Sequence, residues 1–220
     1  MFNARVVLIA SLLIFCGTSL SSNAAQVTIN VQDKKGNPLT NIVVLVRGDT
    51  ETYMTKEMPA EAIMDQINRE FVPHTLVVQK GMHVKFPNSD SVQHHVYSFS
   101  PAKTFELKLY SELEVEPFLF DQAGVVELGC NVHDWMLGYI YVADTPYFAQ
   151  TNVQGAVSID IPAGDYELSL WHPRLADEDI QRTQKIQITS KDLMITQALL
   201  APLLPSLVEY DAVEGFNNYD

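Results

Sequence analysis

The chain reads as an all-β protein, and three observations predict it. Segments rich in Val, Ile, Leu, Tyr and Phe recur with turn residues between them about every ten positions. Several alternate apolar and polar residues, the period of a strand with one buried face. Beyond the N-terminal apolar run only one stretch offers a helical pattern. Two β-sandwiches, one inserted in the other, or a single extended sandwich, satisfy these observations.

In chain order the predicted strands are VTINVQD at 27–33, NIVVLVRG at 41–48, HTLVVQKG at 74–81, HVKFPN at 83–88, HHVYSFS at 94–100, VVELG at 125–129, GYIYVAD at 138–144, VSIDI at 157–161, YELSLWH at 166–172 and KIQITS at 185–190. The helical candidate is PAEAIMDQINREF at 59–71. Pro59 suits a first helical turn, and Ile63, Met64 and Ile67 supply an apolar side, so a short connecting helix is expected there. The last residues, 201–220, carry apolar side chains without a clear period and read as a loosely ordered tail.

Export is read from the N-terminus. Arg5 precedes a largely apolar run from Val6 to Cys16, and small residues at Ser22, Ala24 and Ala25 suit cleavage, so residues 1–24 are expected to be a signal peptide. The run is shorter than the ~20 residues that span a bilayer, and no membrane anchor is expected after cleavage. Cleavage removes Cys16 and leaves Cys130 as the one cysteine, so no internal disulfide can form. An unpaired cysteine in an exported protein points to intermolecular pairing, a reactive thiol or a metal ligand.

Charge narrows the partners. There are 14 Lys and Arg against 27 Asp and Glu, a net charge of −13, and loss of Arg5 makes it one unit more negative. Nucleic acid and anionic membranes are excluded as natural partners, whereas a basic protein suits such a surface.

The stretch ELGCNVHDWMLGYI sets Cys130, His133 and Met136 three residues apart. A thiolate, an imidazole and a thioether at that spacing let one tight loop deliver three soft or borderline ligands to one centre. Copper accepts such a set, most familiarly as two His and one Cys in a plane with a weak axial Met. Upstream, HVKFPNSDSVQHHVYSFS offers the second imidazole at His94 or His95. Each residue alone has an ordinary reading, as a solvated strand residue or a core side chain, but the ordered combination is much rarer than its parts. His74, His83 and His172 lack such company. Structural zinc would normally take another Cys or His in place of Met, and a nucleophilic Cys–His pair would lack an orienting partner.

From about Phe71 to Val142 the sequence resembles a cupredoxin of the plastocyanin and amicyanin type. GMHVKFPN matches that family's G-x-x-V-x-F-x-N, QHHV its P-H-N-V, and CNVHDWMLGYI its C-x-x-H-x-x-M-x-G-x-I, with the short Cys-to-Met spacing of amicyanin. The resemblance implies a Greek-key β-sandwich holding one copper ion on His94, Cys130, His133 and Met136. Adjacent strand residues point to opposite faces, so one of His94 and His95 enters the sandwich end and the other faces out. His95 and Asn88 are then candidates for outer support or an alternate ligand. His95 stands where the family has an Asn tying the ligand loops together, and Asp134 stands where many members have proline. Trp135 and Leu137 are the candidate docking patch beside His133.

VTINVQDKKGNPLTNIVVLVRGD is similar to the opening strands of carboxypeptidase-regulatory-like (transthyretin-like) sandwiches, and TNVQGAVSIDIPAGDYELSLWHPRL to their continuation. The resemblances together imply a discontinuous sandwich at 25–55 and 146–200 around a cupredoxin domain at 56–145. The function they imply is that of a periplasmic type 1 copper protein carrying one electron. Its redox partner would be a basic c-type cytochrome or a periplasmic oxidoreductase. No catalytic residues and no enzyme activity are expected. Copper delivery without electron transfer is the alternative, and an adhesion or scaffold role for the flanking strands a third.

Overall fold

The computed structural model of the chain describes residues 24–49, 61–111, 116–176, 183–199 and 201–205. The signal-peptide reading of 1–24 thus falls almost wholly outside the described residues, as do Pro59 and the tail beyond Pro205. The described residues are all-β and contain no helix.

The chain opens with β1 (Ala25–Gln32) and β2 (Val43–Arg47). It continues through β3 (Glu61–Ile63), β4 (Asp65–Ile67), β5 (Glu70–Val72), β6 (Thr75–Gln79), β7 (Met82–Lys85), β8 (His94–Ser100), β9 (Lys103–Tyr110), β10 (Phe118–Phe120), β11 (Gly124–Cys130) and β12 (Leu137–Ala143). It closes with β13 (Tyr147–Gln150), β14 (Ala156–Ile161), β15 (Gly164–Trp171), β16 (Thr183–Ile188) and β17 (Leu193–Ala198).

The first and last strands pair with each other. One sheet runs β14-β1-β17 and another β13-β2-β15-β16, and their inner faces enclose an aliphatic cluster that includes Val27, Ile29, Val44, Val46, Ile161 and Leu168. In β1 the strict alternation of buried and less buried residues puts Ala25, Val27, Ile29 and Val31 inward. The middle strands form a five-stranded sheet, β6-β12-β11-β8-β9, and a smaller β10-β7-β3 sheet. Between them lies a second cluster rich in aromatics, with Phe71, Phe86, Phe105 and Phe120 beside Leu128, Cys130 and Met136.

Two strands face both ways. β2 is a continuous apolar run, the signature of a strand covered on both sides. Its Val44 and Val46 enter the aliphatic cluster, while Val43 and Leu45 turn outward to a third, smaller cluster with Ala143 and Trp171. In β12, Ile140 and Val142 face the aromatic cluster, whereas Tyr139 and Tyr141 pack on the Trp171 ring at centroid separations of 6.0 and 5.1 Å. Arg47 reinforces the junction through Asp144 Oδ1 at 2.6 Å and Ser169 Oγ at 2.5 Å.

The expected helix at 59–71 is not formed over its described residues. Glu61–Ile63, Asp65–Ile67 and Glu70–Val72 are short strands, and Asn68 and Arg69 make the turn of the β4–β5 hairpin at φ of 54° and 62°. Of the apolar side inferred for a helix only Met64 is fully buried: Ile63 is 56% exposed and Ile67 half-buried, while the polar Gln66 is fully buried. Gln66 is the reason the strand period was hidden. It is a polar residue in an inward position, made tolerable because its Nε2 donates to Pro87 O at 2.9 Å and Tyr110 Oη at 2.5 Å.

Candidate metal centre

Three elements converge at one end of the five-stranded sheet. β8 begins at His94, β11 ends at Cys130, and β12 begins directly after Met136. β8 and β11 pair antiparallel with Cys130 opposite Val96 and Gly129 opposite Tyr97, so the start of one strand lies beside the end of the other. Gly129 leaves room for the Tyr97 ring lying over it: a Cβ there would sit 2.6 Å from Tyr97 Cζ, and the ring would have to move. The loop between the strands is folded back by a turn in which the Met136 N–H donates to His133 O at 3.0 Å.

His94, Cys130 and His133 come together, with one ring nitrogen or sulfur from each lying within 4.8 Å of the others. His94 Nδ1 is 3.7 Å from Cys130 Sγ, and the His94 and His133 ring centroids are 5.1 Å apart. His94 is fully buried, and Cys130 is buried beside it. Met136 is buried in the same cluster as Cys130. His133 is half-buried, its ring against the exposed Trp135 at 5.3 Å.

A buried nitrogen tests whether a metal fits. His133 Nδ1 is buried with no hydrogen-bond partner among the described residues. An orphaned buried polar atom costs roughly 1–3 kcal/mol, and coordination would satisfy it. Burial above all, with smaller contributions from the nearby His94 ring and Arg69, holds the His133 imidazole below its ordinary 6.5 against the opposing pull of Asp90, which favours the neutral ring with a lone pair to give. Thiolate sulfur and two imidazoles are the donor set that soft and borderline transition metals select. The residues present fit such an ion.

His95 faces the other way and is not in this cluster. Its Nε2–H donates to Glu106 Oε1 at 2.8 Å, and its Nδ1 accepts from Asn131 Nδ2 at 2.9 Å. His95 is thus engaged at both ring nitrogens by side chains outside the His94, Cys130 and His133 group. It ties the two loops instead, since the Asn131 N–H also donates to His95 O at 3.3 Å. Asn88 is buried and likewise structural: its Nδ2 donates to Val92 O and Tyr110 O, both at 2.9 Å, and its Oδ1 accepts from the Asp90 N–H.

Of the suggested docking residues, Trp135 is 63% exposed and Val132 joins it at 48%. Leu137 is half-buried and lines a groove on the sheet face with Tyr97 and Phe99. Sequence reasoning passed over Asp90 and Arg69. Asp90 Oδ2 lies 3.1 Å from His94 Nε2 and 2.7 Å from the Arg69 N–H. Burial works against its ionisation, but those donors and the Ser91 N–H hold its carboxyl below the usual carboxylate value. An Asp four residues before a buried His, on the loop entering the same strand, was the available signal.

No protein-family model matches the chain, and no curated protein matches it. Among solved structures, a purple cupredoxin from Nitrosopumilus maritimus is similar over 39% of this chain and 100% of its own, at 24% identity and a TM-score of 0.33. A reduced mutant of amicyanin is similar over 46% of this chain and 98% of its own, at 17% identity and 0.35. A copper-containing nitrite reductase from Thermus scotoductus is similar over 40% of this chain but only 23% of its own, at 20% identity and 0.37. The all-β architecture stands on the chain's own strand pairing.

Proposed function

We propose that the chain is a periplasmic type 1 copper protein that carries one electron between redox proteins, with His94, Cys130, His133 and Met136 as ligands. The observation that carries the proposal is the convergence of His94, Cys130 and His133 at the end of the five-stranded sheet, one ring nitrogen or sulfur from each lying within 4.8 Å of the others. Copper held there would supply a one-electron couple.

The chain's own residues do the rest. β8 and β11 hold His94 and Cys130 at fixed separation, so a change of oxidation state would meet ligand positions set by the sheet. Burial of His94, Cys130 and Met136 keeps water from the inner side. His133 alone reaches the rim, where Val132 and Trp135 offer a small apolar surface for a transient partner. The net charge of −13 favours a basic partner, and the encounter rate would fall as salt screens it. Residues 25–55 and 146–200 are read as a transthyretin-like sandwich into which the copper-bearing segment, 56–145, is inserted.

Titration of the exported protein with Cu(II) is expected to give one equivalent of an intensely coloured thiolate–copper complex, lost in Cys130→Ser. Met136→Leu is expected to keep the copper and raise the reduction potential, because a weak axial donor favours Cu(II). A colourless Cu(II) complex, or preferential retention of zinc, would overturn the assignment. Transfer of copper to an apo acceptor, with no salt-sensitive oxidation of a reduced basic cytochrome c, would replace electron carriage by delivery.

A further inference from the structure

We infer that Asp90 is a positioning residue for His94, a part-buried carboxylate that fixes which ring nitrogen carries the proton and biases the site towards the higher oxidation state of its metal. The second half rests on the copper reading above; the first does not.

The His94 side chain is fully buried and that of Asp90 is 10% exposed, with Oδ2 3.1 Å from Nε2. An ionised carboxylate only accepts, so the ring proton belongs on Nε2. Nδ1, the nitrogen 3.7 Å from Cys130 Sγ, is thereby left with its lone pair facing the cluster. Without a fixed acceptor behind the ring, the proton could sit on either nitrogen, and one of the two arrangements would block the ligand.

Asp90 is itself held from several sides. Its Oδ2 accepts from the Arg69 N–H at 2.7 Å and its Oδ1 from the Ser91 N–H at 2.7 Å, while its own N–H donates to Asn88 Oδ1 at 3.0 Å. The Arg69 donor is aimed by the left-handed turn of the β4–β5 hairpin, Asn68 and Arg69 both having positive φ. The hairpin thus contributes to the site through backbone geometry alone. His95 also meets a carboxylate, but Glu106 is 53% exposed and water screens that pair. His133 Nδ1 meets none. Asp90 is the one carboxylate held against the inner side of the cluster among these three histidines. A negative charge one ring away from a metal, in a region with little water, stabilises the more positive ion more than the less positive one.

Two measurements test this independently. In the metal-free protein, nitrogen-15 NMR of the His94 ring is expected to show a single tautomer protonated at Nε2, and Asp90→Ala to replace it by a mixture. A wild-type ring protonated at Nδ1, or a tautomer indifferent to Asp90→Ala, would overturn the positioning role. In the copper-loaded protein, the isosteric Asp90→Asn is expected to weaken the preference for Cu(II) over Cu(I) about tenfold, a rise of about 59 mV in reduction potential. Asp90→Asn also serves in the NMR arm if Asp90→Ala does not fold. An unchanged potential with copper bound would overturn the electrostatic half. Failure of the wild-type protein to take up copper would instead overturn the proposed function, and the tautomer would still decide the role of Asp90.

Discussion

The two main hydrophobic clusters are close in extent and different in kind. The one around β1, β2 and β15 is aliphatic apart from Tyr147 and Tyr166. The buried polar residues near it are hydroxyls bonded to backbone, as Thr145 Oγ1 is to Val46 O and Thr151 Oγ1 to Leu39 O. The one between β7 and β11 is built on Phe rings and borders side chains with amide and imidazole groups: Gln66, Asn88 and His94. Tyr110 closes that network, accepting from Gln66 Nε2 and donating to Phe86 O at 2.8 Å. Buried polar networks cost stability when one member is lost and specify geometry when all are present. The aliphatic region is therefore a packed wall, and the aromatic region is a seat for the site.

The sharpest way to break this contrast is to cut a cavity in each cluster. Phe71→Ala, at a residue 1% exposed whose ring presses on Gly138 just past Met136, is expected to cost ~3–5 kcal/mol by urea unfolding and to weaken copper binding as well. Ile29→Ala in the aliphatic cluster is expected to cost ~2–5 kcal/mol and to leave the copper spectrum of the folded protein unchanged. A spectrum altered by Ile29→Ala would erase the distinction.

A smaller effect tests the seam between the two regions. His172 is pushed down to about 4 by burial, then by the positive Arg174 and His74, and its Nδ1 accepts the Arg174 N–H at 3.1 Å. The folded state thus resists a proton that the unfolded chain takes up near 6.5. Stability is full above that value, is lost as pH falls from 6.5 towards 4, and levels off below. Because the ring is partly exposed, roughly 1 kcal/mol is expected from this group. His172→Gln should flatten the acid limb of the stability curve by that amount, and an unaltered limb would show that the seam does not titrate there. The smallest change is expected from Arg47→Met. Its partner Asp144 is 45% exposed, so the ion pair contributes about 0–1 kcal/mol, measurable only as a slight shift in the unfolding midpoint.

What the sequence revealed depended on whether a residue's role was periodic. The alternation in β1 and the unbroken run in β2 were plain, and so was the spacing Cys130, His133, Met136. Strand alternation correctly separated the burial of His94 from that of His95, although it did not say which was inward. β9 went unnoticed although Phe105, Leu107 and Leu109 alternate with Glu106 and Lys108; the burial departs from that alternation at its end, where Leu109 is exposed and Tyr110 buried. The β4–β5 hairpin was misread because Gln66 is polar yet inward, and because the turn at Asn68 and Arg69 is signalled by backbone angle more than by residue type. Asp90 was missed for a related reason: two of its partners are backbone N–H groups, which leave no mark in the sequence, and only its spacing from His94 hinted at the third.

The pairing of Val46 with Tyr147 has a kinetic consequence. These residues meet across an intervening stretch of roughly a hundred positions, and closing a flexible loop of that length is slow even though its entropic cost grows only logarithmically. If β3 to β12 have already collapsed, the effective loop shrinks to the short tethers on either side. Assembly of the outer sheets would then be gated by prior formation of the inner ones, so the refolding rate of β2 and β13 should report on the middle of the chain rather than on its ends.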